Sequence, residues 1–410
     1  MKLFLHAHAK HPDPHMAVAL AAAQIKAQRG RAGSVTDPTL GWLYLTDHFA
    51  PAAQSLLADV RSRWPGTAWV GAVGVGVAGN GIEYFGEPAV SMMLGDVPRT
   101  QFRVFSGIEP LAGFDAATAQ VHADPSTDDL GELIDELSQR VRTGYLFGGL
   151  ASAHADGAAT SPFSRCMHIA DGVFSGGLSG VAFGPEVALI SRVTQGCRPV
   201  GPARTVSAAE RNVVLQLDGE PALDCLVRDL GIDQNLPRQA LERLRQTLVG
   251  LSDSHDDAFV RPGQFGVDTR VRHLVGLDTS RRGIAIADTP AVGMRLAFCR
   301  RDTEAARRDL VRICTEIREE LESESLPQAT AFALQGSSSG HAPRAARRVA
   351  GAVYVSCAGR GGPHFGTPSA ELAIVRRALG DVPLTGFFAN GEIARRHVYG
   401  YTGVLTVFTG

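Results

Sequence analysis

The chain has 410 residues, and its 40 lysines and arginines against 42 aspartates and glutamates give a formal net charge of −2. This length supports at least two hydrophobic cores, and the near-neutral charge gives no broad electrostatic reason to bind nucleic acid or an anionic membrane. The sequence has no run of about 18 apolar residues and no signal peptide, which predicts a cytoplasmic protein without a spanning helix.

The predicted elements of the N-terminal part alternate between strand and helix. A strand begins near Leu3, and Asp13-Pro14 introduces an alanine-rich helix over 16–28. Hydrophobic periodicity then predicts a strand, a helix and two further strands at 42–45, 52–63, 67–77 and 89–94.

Two patterns in this part are typical of ligand sites, but their surroundings do not fit. Gly74 to Gly79 spell G-x-G-x-x-G, yet residues 80–88 contain too many helix breakers for the helix that a dinucleotide site requires. We interpret these glycines as a turn lining a cleft. His6 and His8 would share one face of a predicted strand. No cysteine or acidic residue lies with them at ligand spacing, so we predict no metal and no cofactor.

Short strands separated by glycine pairs dominate the middle of the chain. After a helix over 130–142, strands are predicted near 145–147, 165–169, 172–174 and 187–193. The glycines between them favour hairpins over a strand–helix–strand series. A helix after Gly219 marks a boundary, which predicts one domain at 1–220 and a second at 221–410.

The order of elements repeats within the chain. Segment 42–94 can be laid over segment 352–408 as strand, helix, strand and strand, which places Gly71 opposite Gly386. This indicates two structurally related halves, and it predicts an α+β fold of mixed, largely antiparallel sheets flanked by helices. Glycine, at 46 of 410 residues, clusters at strand ends, which we interpret as the lining of a site.

The strongest candidate site follows a predicted strand near the C-terminus. Cys357 ends this strand, and a glycine-rich turn with Arg360 would bind a carboxylate and lower the pKa of the thiol. The alternative is a buried cysteine beside a structural arginine. Asn390 and Glu392 lie at a later glycine turn and suit polar ligand contacts. The predicted ligand-binding residues are Cys357, Gly359, Arg360, Gly361, Asn390 and Glu392.

A serine-rich segment carries a second catalytic pattern. Gly336 to Gly340 match the nucleophile elbow G-x-S-x-G, with Asp381 and His397 following in hydrolase order. Pro343 interrupts the helix that this motif needs, and the segment is rich in serine and glycine. We therefore interpret 335–348 as a flexible insertion that could act as a lid.

Several of these motifs together resemble a known family. Cys357 to Gly361 and Gly386 to Ile393 are similar to the C-terminal signature of the FIST family, the F-box and intracellular signal transduction proteins. Further matches at 148–149, 195–202 and 217–223 extend the resemblance over nearly the whole chain, as an N-terminal and a C-terminal FIST module. The resemblance implies a sensory module that binds small ligands such as amino acids, without an established reaction.

The leading hypothesis is a small-ligand-binding sensory protein. Arg360 would hold an anionic group of an amino acid or small anionic metabolite, while Asn390 and Glu392 would contact an amine or amide. Because the two modules account for the chain, a signalling partner or self-association is expected to provide the output.

Two other classes of function stay open, although we favour a non-enzymatic role. Cys357 could be a nucleophile or redox thiol, with His364 as its base. Alternatively, the protein could be an interaction scaffold, which would require a large exposed apolar patch.

Overall fold

A computed structural model describes residues 1–30, 33–154, 166–232, 237–253, 269–323 and 348–410. The chain divides into two compact units. Unit 1 comprises Met1–Thr194, Leu310–Val398 and Thr402–Gly410, and unit 2 comprises Gln195–Asp309 with Tyr399–Tyr401. Each unit is made of several separate segments of the sequence. The predicted boundary at residue 220 instead divides the chain into two continuous domains, and it stays a prediction.

The first part of unit 1 alternates strand and helix as predicted. Its elements are β1 (Leu5–Lys10), α1 (Pro14–Gln28), β2 (Leu40–Thr46), α2 (Ala53–Arg63), β3 (Ala68–Gly74), β4 (Gly76–Gly79), β5 (Ile82–Phe85) and β6 (Ala89–Gly95). Helix α1 begins where the sequence predicts, because the Asp13 side chain accepts a hydrogen bond from the Met16 amide at 2.8 Å.

The remaining elements follow in chain order. Unit 1 continues with β7 (Phe102–Phe105), β8 (Thr118–Ala123), α3 (Leu130–Arg140), β9 (Leu146–Leu150), β10 (His168–Ala170), β11 (Val173–Phe174), β12 (Leu178–Phe183) and β13 (Leu189–Gln195). Unit 2 contains β14 (Cys197–Pro199), β15 (Arg204–Glu210), β16 (Val213–Leu217), β17 (Glu220–Pro221), α4 (Ala222–Leu230), α5 (Pro237–Arg245), β18 (Leu248–Ser252), β19 (Arg270–Asp278), β20 (Gly283–Ile286) and β21 (Arg295–Arg301). The chain ends with α6 (Thr303–Ser323), β22 (Val349–Cys357), α7 (Ala370–Leu379), β23 (Leu384–Ala389), β24 (Glu392–Arg395), β25 (His397–Tyr399) and β26 (Thr402–Thr409).

Unit 1 contains three repeats of one topology. In each repeat a strand, a helix and a parallel strand are followed by a hairpin and by a strand that returns antiparallel to the first. The strand–helix–strand cores are β2–α2–β3, β8–α3–β9 and β22–α7–β23. The first and third contain the segments 42–94 and 352–408 that the sequence aligns, and the mixed, largely antiparallel α+β fold is confirmed. The second is a copy that the sequence pattern does not reveal.

The hairpins are exchanged cyclically among the repeats. Hairpin β4–β5 extends the sheet of the third repeat, hairpin β10–β11 extends that of the first, and hairpin β24–β25 extends that of the second. At the other edge of each six-stranded sheet, β1, β7 or β13 pairs with the returning strand. Each repeat thus contributes its hairpin to the sheet of another repeat, so the exchanged hairpins connect the three sheets.

Unit 2 is inserted in sequence between β13 and β22 of the third repeat. Its antiparallel strands follow the order β21–β15–β16–β20–β19–β18, and β18 pairs again with β21, which closes a six-stranded barrel. The buried interior includes Val206, Leu217, Ile284 and Phe298, with Leu226 of α4 packed among them. Closure leaves these six strands without a free sheet edge.

A glycine at the same place in each repeat allows the parallel strands to approach closely. Gly71, Gly148 and Gly386 lie opposite Leu43, Val121 and Tyr354 in the parallel pairs. An added Cβ would lie 1.7–1.9 Å from the carbonyl oxygen of the opposing residue. Only glycine fits these positions without a backbone shift, so these glycines serve strand packing and do not line a cleft.

We expect Gly386→Ala to lower the free energy of unfolding by about 1–3 kcal/mol or more, the usual cost of overpacking a core. The methyl group would meet the backbone oxygen of Tyr354, which cannot rotate away as a side chain can. Gly131→Ala in α3 is the control, because no atom lies within 4 Å of its added Cβ. There alanine should stabilise the helix by up to about 1 kcal/mol. Urea unfolding measures the free energy of unfolding of both variants. Equal changes from wild type in Gly386→Ala and Gly131→Ala would contradict the packing argument.

One strand is missing from the sequence interpretation, and another interpretation is wrong. No strand is predicted before the helix over 130–142, yet β8 lies there and pairs in parallel with β9, whereas β10 and β11 form a hairpin in the region where hairpins are predicted. The glycines of the G-x-G-x-x-G pattern lie in β3 and β4 and are not a turn lining a cleft. They make room for close packing, since an added Cβ on Gly76 would lie 2.6 Å from the Tyr84 oxygen and one on Gly79 would lie 2.8 Å from His8.

A polar network joins β2 and β8 inside unit 1. Trp42 Nε1 donates to Gln120 Oε1 at 2.7 Å, and Gln120 Nε2 donates to the Tyr44 hydroxyl at 2.8 Å. The Tyr44 hydroxyl also lies 3.1 Å from His122 Nε2. All four side chains are buried, and burial lowers the pKa of His122 to about 3. The imidazole therefore stays neutral.

Candidate functional site

The turn after β22 carries Arg360 into the interior of unit 1. Its side chain is 1% exposed, and its Nε donates to Glu371 Oε1 at 2.6 Å. Its Nη2 donates to the Thr194 hydroxyl at 3.2 Å, and its guanidinium lies 5.2 Å from the centre of the Phe365 ring. The predicted positively charged side chain, Arg360, is therefore present at the strand end, but the buried carboxylate of Glu371 already contacts it.

Glu371, in the first turn of α7, is the centre of this network. Besides Arg360, the Tyr354 hydroxyl donates to its Oε1 at 2.6 Å, and the Ser356 hydroxyl lies 3.1 Å from its Oε2. Tyr354 and Ser356 alternate along β22 and so point to the same face of the strand. All of these groups are buried, which makes the ion pair and its hydrogen bonds a rigid unit.

Glu392 lies on β24 and is fully buried. Its Oε2 accepts hydrogen bonds from the Thr402 amide at 3.1 Å and the Thr402 hydroxyl at 2.7 Å. Its Oε1 has no hydrogen-bond partner among the residues that the structure describes. Burial raises the pKa of Glu392 to about 8, against the opposing effect of the Arg360 charge, so the carboxyl is mostly protonated at neutral pH.

A third carboxyl group, Glu83 on β5, lies near the same cluster. Its Oε1 accepts a hydrogen bond from the Leu372 amide of α7 at 3.1 Å. Burial, followed by the negative charge of Glu371, raises the pKa of Glu83 to about 7. Glu83 and Glu392 thus both interact with Glu371, the partner of Arg360, and both hold protons in the neutral pH range.

The structure brings some predicted site residues together and separates others. Arg360 and Glu392 interact electrostatically, whereas the Asn390 side chain is exposed. The amides of Arg360 and Gly361 both donate to the Cys357 carbonyl, at 2.8 and 3.0 Å, so these two donors already have an acceptor within the turn.

The remaining predicted residues form the surroundings of this turn. Cys357 and Gly359 are half-buried, and an added Cβ on Gly361 would lie 2.4 Å from the Phe388 ring. His364 lies in a 3₁₀ turn, Gly362–Phe365, and is also half-buried. Among the six cysteines Cys357 is the one that is not fully buried.

Sequence reasoning missed Glu371, Glu83 and Thr194. The sequence did contain one signal, because the polar residues Tyr354 and Ser356 interrupt an apolar strand at a spacing of two, which indicates a buried polar partner. The other partners come from α7, β5 and β13, and nothing in their local sequence links them to Arg360.

Two other predicted features have different outcomes. The G-x-S-x-G pattern at 336–340 lies outside the described residues. His6 and His8 lie on β1, where the Gln28 and Gln24 side chains donate to their backbone carbonyls at 2.6 and 2.8 Å. Within the described ranges, no three histidine, cysteine or acidic side chains are grouped around a common metal position.

Models of the FIST family match most of the chain. The FIST N domain matches residues 39–220, and the FIST C domain matches residues 222–395. The chain therefore belongs to the FIST family, whose domains are associated with signal transduction and small-ligand binding. In the described part of the chain, no helix has the length and apolar character needed to cross a membrane.

Similar proteins occur in mycobacteria. An uncharacterized protein of Mycobacterium tuberculosis is 27% identical over 423 aligned residues, which cover 97% of each chain. An uncharacterized protein of Mycobacterium bovis is 28% identical over 316 residues, covering 72% of this chain and 69% of the relative. The similarity to the first extends over both FIST modules.

Proposed function

We propose that this protein is a cytoplasmic small-ligand sensor whose ligand, an amino acid or small anionic metabolite, binds at the turn after β22. The observation that carries the proposal is Glu392, a fully buried carboxyl with one oxygen lacking a hydrogen bond in the described structure. An unsatisfied buried polar group costs about 1–3 kcal/mol. A ligand that contacts this oxygen would recover that energy.

The Glu392 carboxyl favours a ligand that carries an amino group. Burial disfavours the charged form of Glu392, and a ligand ammonium group would stabilise its carboxylate in place of the proton. A ligand carboxylate would accept from the Arg360 guanidinium in competition with Glu371 and Thr194, to which this side chain already donates. An α-amino acid provides both groups.

The half-buried turn supplies the approach to this cluster. Cys357 and Gly359 would border the ligand, Gly361 would fix the shape of the turn against Phe388, and Asn390 would offer an amide at the outer end. We propose that ligand binding is passed to a signalling partner protein or changes self-association, because a sensor needs an output.

Calorimetry with a panel of amino acids and small organic acids tests this proposal. We expect at least one amino acid to bind wild type, and Glu392→Gln to weaken that binding at least tenfold. Glu136→Gln on the exposed face of α3 is the matched control and should bind as wild type does. Absence of binding by the whole panel, or equal affinity of Glu392→Gln and wild type, would refute the proposal.

The two alternatives from the sequence stay open as predictions. An enzyme would use the Cys357 thiolate with His364 as base, and both residues are accessible enough for this role. The exposed large apolar residues, such as Ile108, Val275 and Val292, lie in separate parts of the sequence. A scaffold role therefore has no observation in its favour that the sensor role lacks.

A further inference from the structure

A second polar site lies where β2 ends, apart from the residues around Arg360. Asp47 and His48 directly follow β2, and His154 comes four residues after β9. The Ser152 amide donates to the Val73 carbonyl at 3.1 Å, and the Val75 amide donates to the Ser152 hydroxyl at 2.9 Å. These hydrogen bonds hold the segment before His154 against the end of β3.

The two oxygens of the buried Asp47 carboxylate differ in their hydrogen bonding. Its side chain is 2% exposed. Its Oδ2 accepts a hydrogen bond from the His154 amide at 2.7 Å and lies 2.9 Å from His154 Nδ1, which donates to it. Its Oδ1 lies 3.3 Å from His48 Nδ1, yet it has no hydrogen bond within the described residues. One oxygen is thus fixed by His154, and the other faces an imidazole nitrogen without bonding to it.

Among the described residues, the charge of Asp47 has no lysine or arginine as a counterion. In the described part of the chain its ion pairs are with His48 and His154, and no lysine or arginine lies within 4.0 Å of its carboxylate. Both imidazoles are partly exposed, at 39% and 46%. A buried carboxylate next to solvent-accessible imidazoles is a donor set suited to a cation with an affinity for nitrogen and oxygen ligands.

We propose that Asp47 Oδ1 and His48 Nδ1 bind a divalent transition-metal cation of the zinc class. Zinc bonds to histidine nitrogen and carboxylate oxygen are about 2.0–2.2 Å long, which places two ligand atoms about 3.3–3.5 Å apart in a tetrahedral site. The observed separation of 3.3 Å fits this spacing. Water or a bound small molecule completes the coordination, because these two ligands leave positions open.

His154 is a positioning residue in this site. Its two contacts with Asp47 Oδ2 fix the carboxylate, so that Oδ1 stays directed toward His48. Partners that orient a metal ligand in this way change metal affinity by about 10- to 100-fold when removed. Its ring centre lies 6.4 Å from that of His48.

Calorimetric titration of the untagged full chain with Zn²⁺, after removal of bound metal with a chelator, tests this proposal. We expect one zinc per chain at this site, with His48→Ala losing it and His154→Ala weakening it about tenfold. His15→Ala is the matched control, because His15 is also partly exposed and lies 3.6 Å from a carboxylate, that of Asp59. It should bind as wild type does.

Asp47→Asn provides the second ligand variant, and thermal unfolding provides a second readout. Zn²⁺ should raise the melting temperature of wild type and of His15→Ala, and have no such effect on His48→Ala. Because His48 is partly exposed, its variant is expected to fold even if Asp47→Asn does not. Failure of wild type to bind Zn²⁺, or equal binding by His48→Ala and wild type, would overturn the proposal.

Discussion

Arg360→Met is expected to lower the free energy of unfolding by about 3–5 kcal/mol, the usual effect of removing one partner of a buried ion pair. The side chains of Arg360 and Glu371 are 1% and 0% exposed, so water cannot replace the lost cation. Glu371 would keep its hydrogen bonds from Tyr354 and Ser356, which reduce the loss but do not neutralise the charge. Urea unfolding at pH 7 measures this value.

The double variant Arg360→Met/Glu371→Gln separates the loss of the pair from the cost of a stranded charge. It should be more stable than Arg360→Met alone, because a neutral side chain then occupies the buried position. If the two substitutions were simply additive, the stranded-charge explanation would be wrong.

Arg204→Met in unit 2 is the matched control, since Arg204 forms a bidentate pair with Asp229 at 2.6 and 2.7 Å and is also mostly buried. It should destabilise the protein but leave ligand binding intact.

The free energy of unfolding is expected to fall as the pH rises from about 5 to 8, through the titration of Glu392 and Glu83. Their pKa values are raised to about 8 and about 7 from an ordinary value of 4.5. A carboxyl with a raised pKa in the folded state binds its proton more tightly there. Its contribution is therefore fully present below pH 4.5 and is lost as the pH rises through the folded-state pKa.

Each of these carboxyl groups contributes a slope of at most about 1.4 kcal/mol per pH unit. Glu392→Gln should flatten the part of the profile that extends to pH 8, and Glu83→Gln the part that ends near pH 7. Urea unfolding at intervals of one pH unit gives both slopes. A profile that Glu392→Gln leaves unchanged would show that this carboxyl is not protonated in the folded protein.

Part of the fold could be predicted because its pattern is local. Strands β2 and β22 are apolar runs, and a glycine lies at the same place in the strand that pairs with each of them, so the first and third repeats can be aligned from sequence. The second repeat is hidden by its first strand, β8. Gln120 and His122 give this strand a polar face, although that face is buried against Trp42 and Tyr44. Hydrophobic periodicity predicts that such a segment is a half-exposed strand or a loop.

The candidate site could be predicted only in part for a similar reason. The sequence indicates Arg360 and Glu392, because each lies at a glycine turn after or before a strand. It does not indicate that Glu371 would neutralise Arg360, or that Asp47 and His154 would meet, since these contacts join segments 11 and 107 residues apart. Hydrogen-bond partners at such separations are set by the sheet topology and have no periodic signal.

The family, the repeated strand–helix–strand order and the turn that carries Arg360 can be recognised in the sequence alone, because hydrophobic period and glycine position are properties of short segments. The tertiary structure decided that there are three repeats with exchanged hairpins and a barrel inserted in the third. It also changed the role of the glycines, which permit close contact between strands at Gly71, Gly148 and Gly386. Whether a glycine lines a site or packs against a backbone depends on what lies opposite it, and only the pairing of strands decides that.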